Sequence, residues 1–163
     1  MPGLLVHELR MSVPFASREM EAVLNLMRTA DYLRREVAEL LSPHGLSPSS
    51  YNVLRILRGA GTAGLPCSEV SQRLVTHDPD ITRLADRLMA SGWVVRDRQP
   101  GDRRVVVLRI TPEGSDLVVR LDVDLQDLHR RQLSHLGQTN LDVFIRLLEQ
   151  ARQSEPVPTP ENP

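Results

Sequence analysis

No lysine occurs anywhere in the 163 residues, so the whole Lys+Arg total of 20 is arginine. Every fixed cation is therefore a planar guanidinium able to grip two acceptors at once. Cysteine is almost as scarce. The lone Cys67 cannot build a disulfide framework within the chain, and it excludes a cysteine-rich zinc site. Aromatic residues make up only 3%, so the core must be aliphatic. No apolar run approaches the roughly 20 residues that span a bilayer. His7, Glu8 and Arg10 interrupt the apolar N-terminal stretch. We therefore expect neither a secretory signal nor a membrane anchor, and a home in a reducing cytoplasm.

Catalytic signatures are missing as well. There is no Ser/His/Asp arrangement, Gly-rich phosphate loop or H-E-x-x-H, and nothing supports an enzyme. His7, His44, His77, His129 and His135 do not fall at metal-ligand spacing; His129 and His135 with Asp127 come nearest, and surface or interface histidines are the better expectation. No metal and no other cofactor is expected. The formal net charge of -1, taken alone, argues against a nucleic-acid partner.

What is present is a succession of amphipathic helices. From Arg18 to Leu41, Met20, Val23, Leu24, Met27, Ala30, Leu33, Val37, Leu40 and Leu41 recur at three- and four-residue spacing. The breaker cluster Ser42-Pro43-His44-Gly45 ends this helix, and Ser47-Pro48 supplies a cap and a first-turn proline for the next, with Tyr51, Leu54 and Leu57 on one side. A third helix is predicted from about Cys67 to Leu74, with Cys67 or Ser68 at its cap. A fourth begins near His77-Asp78-Pro79, where Asp78 can cap, turns Ile81, Leu84, Ala85, Leu88 and Met89 inward, and closes at Gly92.

The pattern then changes. Residues 93–97 and 105–110 are rich in β-branched side chains and flank the turn Gln99-Pro100-Gly101-Asp102, which predicts a β-hairpin with a charged tip. Thr111-Pro112-Glu113-Gly114 opens a fifth helix striped by Leu117, Leu121, Leu125 and Leu128. A sixth, Asn140 to about Arg152, carries Leu141, Phe144, Ile145 and Leu148 on its buried side. The proline-rich tail is expected to be disordered.

Helix, link, helix, tight turn, helix, hairpin is the order of a winged helix-turn-helix, whose second turn helix enters the major groove while the hairpin follows the backbone. Small units of this order also serve as protein-interaction modules without DNA binding, and that remains the alternative. The charge is unevenly placed: residues 73–109 hold eight arginines against five acids, and residues 110–163 five arginines against nine acids. The near-neutral total conceals a basic middle.

Four stretches in order, Ile81-Thr82-Arg83-Leu84-Ala85-Asp86-Arg87-Leu88, Ser91-Gly92-Trp93-Val94-Val95-Arg96, Gly101-Asp102-Arg103-Arg104 and Leu108-Arg109-Ile110-Thr111-Pro112-Glu113-Gly114, resemble the MarR family of bacterial transcription regulators. They match its T-R-L-x-x-x-L recognition helix, its D-x-R wing and its L/I-T-x-x-G lead into the next helix. The resemblance implies a mainly α fold with a small hairpin wing and a homodimer held by the N-terminal and last two helices. It further implies binding to a pseudo-palindromic operator on double-stranded DNA, usually as a repressor released by a small ligand or oxidant. On this reading residues 1–17 form an N-terminal arm, 18–45 and 111–152 the helical dimerisation region, 46–110 the winged helix-turn-helix, and 153–163 the tail. Stripes on the first, fifth and sixth helices, which a small winged domain would leave uncovered, agree with a dimer.

Arg83 and Arg87 lie four apart on the recognition helix and can project together toward phosphate or a guanine edge, while Thr82 suits a phosphate or a thymine methyl. In the wing, the resemblance makes Asp102 the residue that orients Arg104 into the minor groove; Arg98 and Arg103 are phosphate contacts or solvated charges. His77, Asp78 and Asp80 crowd the front of the helix. The two acids favour its dipole and repel phosphate. Asp78 is expected to cap; Asp80 either accepts from a cytosine amino group or is part of the capping. Some relatives of the family sense peroxide through a cysteine in the first helix, whereas Cys67 opens the third and reads as a small buried or capping residue. An effector pocket would lie where the winged domain meets the dimer helices. Met27, Tyr32 and Tyr51 would line it for a small aromatic or anionic effector, with Arg34 or Arg35 available for a carboxylate, although Tyr51 is equally suited to core packing.

Overall fold

The computed structural model describes residues 4–76, 80–99 and 102–153, with residues 99 and 102–105 described by backbone alone. Among the described residues, seven α-helices and three strands follow one another: α1 (Leu4–Glu8), α2 (Arg18–Leu41), α3 (Pro48–Ala60), β1 (Leu65–Pro66), α4 (Cys67–Arg73), α5 (Ile81–Ala90), β2 (Val94–Gln99), β3 (Asp102–Ile110), α6 (Pro112–Leu133) and α7 (Gln138–Arg152). The chain forms two compact units, one ending at Leu125 and the other beginning at Gln126. Among the described residues, no helix is long and apolar enough to cross a membrane.

Helix starts follow local chemistry. Ser17 Oγ accepts from the Met20 amide at 3.1 Å, and Ser47 Oγ from the Ser50 amide at 3.1 Å, each satisfying one of the free donors of a first turn. Pro48 occupies the first position of α3, where a missing N–H costs nothing. Helix α4 departs from expectation. Pro66 is its N-cap residue and no side chain caps it, so neither Cys67 nor Ser68 plays that part. Leu74 falls outside it, in extended backbone.

The core of the first unit is aliphatic, as the composition requires. Val53, Leu54 and Leu57 of α3, Val70 of α4, Leu84, Ala85 and Leu88 of α5, Val94, Val107 and Leu108 of the sheet, and Leu117, Val118 and Leu121 of α6 are all buried. Each large side chain in such a place contributes about 1.5–3 kcal/mol relative to its exposed state. The sheet is antiparallel in the order β1-β3-β2. Strand β1 is a segment the sequence shows only as a link; it pairs Leu65 with Leu108 and Pro66 with Val107. Gly64 makes this approach feasible. Its φ is +68°, and a Cβ there would stand 2.6 Å from the Leu108 carbonyl oxygen.

Two apolar stripes are redistributed. Helix α7 buries none of its residues, and Ile145, expected inward, is 51% exposed. On α6, Leu117, Leu121, Leu125 and Leu128 are buried as the periodicity predicts, yet Val119 and Val123 lie exposed on the same helix.

Candidate nucleic-acid interface

Helix α5 buries Leu84, Ala85 and Leu88 and turns Thr82, Arg83, Asp86 and Arg87 outward. Arg83 and Arg87, four apart, therefore share the exposed side that the sequence assigns to DNA. Asp80 is the N-cap: its Oδ1 accepts from the Arg83 amide at 3.1 Å, and its Oδ2 lies 3.5 Å from Arg83 Nε. The cap expected at Asp78 thus falls two residues later. His77 and Asp78 themselves lie outside the described residues.

The wing rises from the end of α5. Val94 pairs with Ile110, Arg96 with Leu108, Arg98 with Val106, and the register slips between Arg98 and Gln99. Arg98 is exposed, and its amide donates to Asp97 Oδ1 at 2.7 Å. Asp102, Arg103 and Arg104 begin β3, and their side chains lie outside the described set. Arg96 Nη2 reaches Asp86 Oδ1 at 3.0 Å and so ties the wing to the recognition helix. Arg109 Nε stands 3.5 Å from Asp97 Oδ2.

A second set of bonds fixes the root of the wing. Thr111 Oγ1 donates to the Gly92 carbonyl at 2.8 Å and accepts from the Gly114 amide at 3.1 Å, while the Thr111 amide donates to the Trp93 carbonyl at 3.0 Å. Gly114 sits so close that a Cβ would meet Trp93 O at 2.4 Å. The threonine and glycine of the T-x-x-G motif therefore clamp the start of α6 onto the turn that ends α5.

Sequence reasoning missed a polar cluster between α3 and α6. The Tyr51 hydroxyl donates to Asp122 Oδ1, Arg58 Nη2 donates to Asp122 Oδ2 at 2.6 Å, and Arg55 Nε lies 3.6 Å from Oδ1. Burial, then the hydrogen bond to Asp122, pushes the Tyr51 hydroxyl well above the ordinary tyrosine range. The available signal was the spacing of residues 51, 55 and 58, which places three donors on one face of α3.

The residues named for an effector pocket stand apart in character. Tyr51 is buried with its hydroxyl committed to Asp122, whereas Met27 and Tyr32 are 63% and 57% exposed on α2. Five residues apart, those two point roughly 140° from each other around the helix. Arg34 and Arg35 are not idle. They lie 3.5 and 2.9 Å from Asp31, and the hydrogen bond from Arg35 holds that carboxyl below its usual range. Cys67 is half-buried. Among the described residues, no group of three His, Cys, Asp or Glu could hold a metal ion.

A capped, arginine-bearing second helix beside a three-stranded sheet with a protruding hairpin defines a winged helix-turn-helix protein. Comparison with known proteins supplies the family. The MarR family profile matches residues 44–105. A MarR transcription factor from Planctomyces limnophilus is 40% identical, with a TM-score of 0.64, over 83% of this chain and 98% of that one. A mutant of MarR from E. coli, crystallised in complex with operator DNA, is 26% identical with a TM-score of 0.72 over 84% of this chain and 98% of its own. The HTH-type transcriptional regulator YkoM of Bacillus subtilis (strain 168) is 27% identical over 145 residues, or 86% of this chain and 93% of the relative. The chain belongs to the MarR family. It is a DNA-binding transcription regulator and not an enzyme, which displaces the alternative of an interaction module without DNA binding.

Proposed function

We propose that the protein acts as a homodimeric repressor on a pseudo-palindromic operator, and that a small aromatic or anionic effector modulates its affinity. The observation that carries the dimer is apolar surface left open on three helices. Met20, Val23, Leu26 and Met27 on α2, Val119 and Val123 on α6, and Val143, Ile145 and Leu147 on α7 are between 39% and 63% exposed. Surface of this kind, repeated on several helices, is what a two-fold partner covers. A dimer presents two α5 helices to successive major-groove faces about one turn apart, hence the palindrome.

Within each half-site, Arg83 and Arg87 serve phosphate or guanine, Thr82 a phosphate or thymine methyl, and Arg98 and Arg103 the backbone. Arg104, oriented by Asp102, enters the minor groove. Asp80 acts through its cap, and His77 adds a contact at the front of the helix. Repression follows from occupancy of a promoter, and the family resemblance supports it. For the effector, Met27, Tyr32 and Tyr51 stand as separate candidate contacts, since Met27 and Tyr32 face different sides of α2. Sedimentation at micromolar concentration tests the assembly: a dimer that binds one duplex site is expected, and a stable monomer overturns the proposal.

A further inference from the structure

We propose that Asp122 is a positioning residue for operator binding: by clasping Tyr51, Arg55 and Arg58 it fixes how α6 carries the helix-turn-helix, and so which half-site separation the dimer accepts. The inference rests on the dimeric reading above.

Three donors on one face of α3 converge on a single carboxylate, with Arg58 at 2.6 Å and Arg55 at 3.6 Å beside the Tyr51 hydroxyl. Both carboxylate oxygens are engaged. Rotation or sliding of α3 along α6 must therefore break at least one charge-assisted bond, whereas the apolar packing of the same helices is non-directional. The carboxylate is only 18% exposed and Arg58 32%, so water competes weakly for that bond, whereas Arg55 is 56% exposed and contributes less. The contact also spans 64 to 71 residues of sequence, which makes it a joint between segments rather than a local brace.

What α3 does with that fixed position is visible one residue further on. Asn52 Oδ1 accepts from the Val75 amide at 2.9 Å, two residues after the end of α4. A continuous path thus runs from Asp122 through α3 and Asn52 to the backbone at Val75, in the segment between α4 and α5. None of these groups lies on the exposed side of α5. Their effect on DNA binding is accordingly geometric, leaving the number of phosphate contacts unchanged.

The test uses the full-length protein and the tightest duplex recovered by the wild type from a random duplex pool, together with versions carrying one or two base pairs inserted at its centre. Wild type should lose about tenfold or more in affinity per insertion. Asp122→Asn should bind the parent duplex several-fold more weakly while discriminating against the insertions by less than about threefold, with an unchanged salt slope. Asp122→Glu should restore part of the discrimination. Tyr51→Phe, which removes one bond and little volume, should move in the same direction and serves if Asp122→Asn fails to fold. Unaltered spacing discrimination in a folded variant, or equal weakening on all duplexes, overturns the proposal. A wild type that binds as a monomer without any spacing preference overturns the dimeric reading, and this inference with it.

Discussion

Asp86 of α5 and Arg96 of the first wing strand form an ion pair at 3.0 Å, so helix and wing are joined by side chains as well as by the backbone between them. Their side chains are 55% and 38% exposed. At that exposure screening leaves the pair about 1 kcal/mol or less. A double-mutant cycle in urea with Asp86→Ala and Arg96→Ala should return a coupling below that figure; a coupling of several kcal/mol would contradict the exposure.

Gly114→Ala should destabilise the protein by about 1–3 kcal/mol, because the new methyl would meet the Trp93 carbonyl at 2.4 Å and the backbone must give way. Helix propensity alone would favour alanine by about 1 kcal/mol. The sign of the change in melting temperature therefore decides between close packing and propensity.

Asp80 separates into two effects. Asp80→Ala should cost about 0.5–2 kcal/mol through loss of the cap. Asp80→Asn keeps a capping oxygen and should leave the melting temperature nearly unchanged, yet raise DNA affinity by removing a negative charge beside phosphate. Binding isotherms for both variants on one duplex check this; lower affinity for Asp80→Asn would point to a cytosine contact instead.

Arg104→Ala and Arg87→Ala should each weaken operator binding without changing the melting curve. Where the lost contact is to phosphate, the slope of log affinity against log salt should fall by about 1. An unchanged gel-shift titration for Arg104→Ala would remove the wing from the interface.

Tyr51 gives the protein an alkaline limit. Burial and the Asp122 bond raise its folded-state pKa above the value of about 10 in an unfolded chain. Its contribution to stability is therefore complete below about pH 10 and declines as pH rises beyond it. With no lysine in the chain, no ammonium titrates across the same window. Ultraviolet titration should resolve Tyr51 ionising after Tyr32, whose own rise comes from a hydrogen bond to Glu36 and whose ring is exposed. Tyr51→Phe should flatten the loss of stability.

Much of this architecture was legible because it is written in local terms. Ser47, Pro48 and Thr111 act where their chemistry is strongest, the leucine stripe of α6 is buried as its period predicts, and in α5 Leu84, Ala85 and Leu88 are buried while Ile81 and Met89 are half-buried. The features that escaped depend on partners far along the chain. Leu65 and Pro66 are a strand only because Leu108 and Val107 lie alongside. Asp122 is one of nine acids after residue 109, and only the fold shows that three donors from α3 reach it. The cap of α5 lies at Asp80 and not at the expected Asp78, a difference that escaped because the two residues offer the same capping chemistry and sequence alone does not distinguish them. Helix α7 differs in another way: its period is that of a buried helix, yet none of its residues is buried.

The strand order carries one more consequence. Around Val107 and Leu108, β3 has neighbours on both sides; at Val106 it pairs with Arg98 alone. The hairpin is thus anchored as a sheet and continues as a ribbon, and a two-stranded ribbon twists more freely than a three-stranded sheet. On the reading proposed above, in which the wing enters a groove, pitch along the ribbon follows the groove's width while the root stays fixed, a means of sensing the shape of a DNA site as distinct from its base edges. Amide exchange should report the same division, slow at Leu108 and faster at Val106.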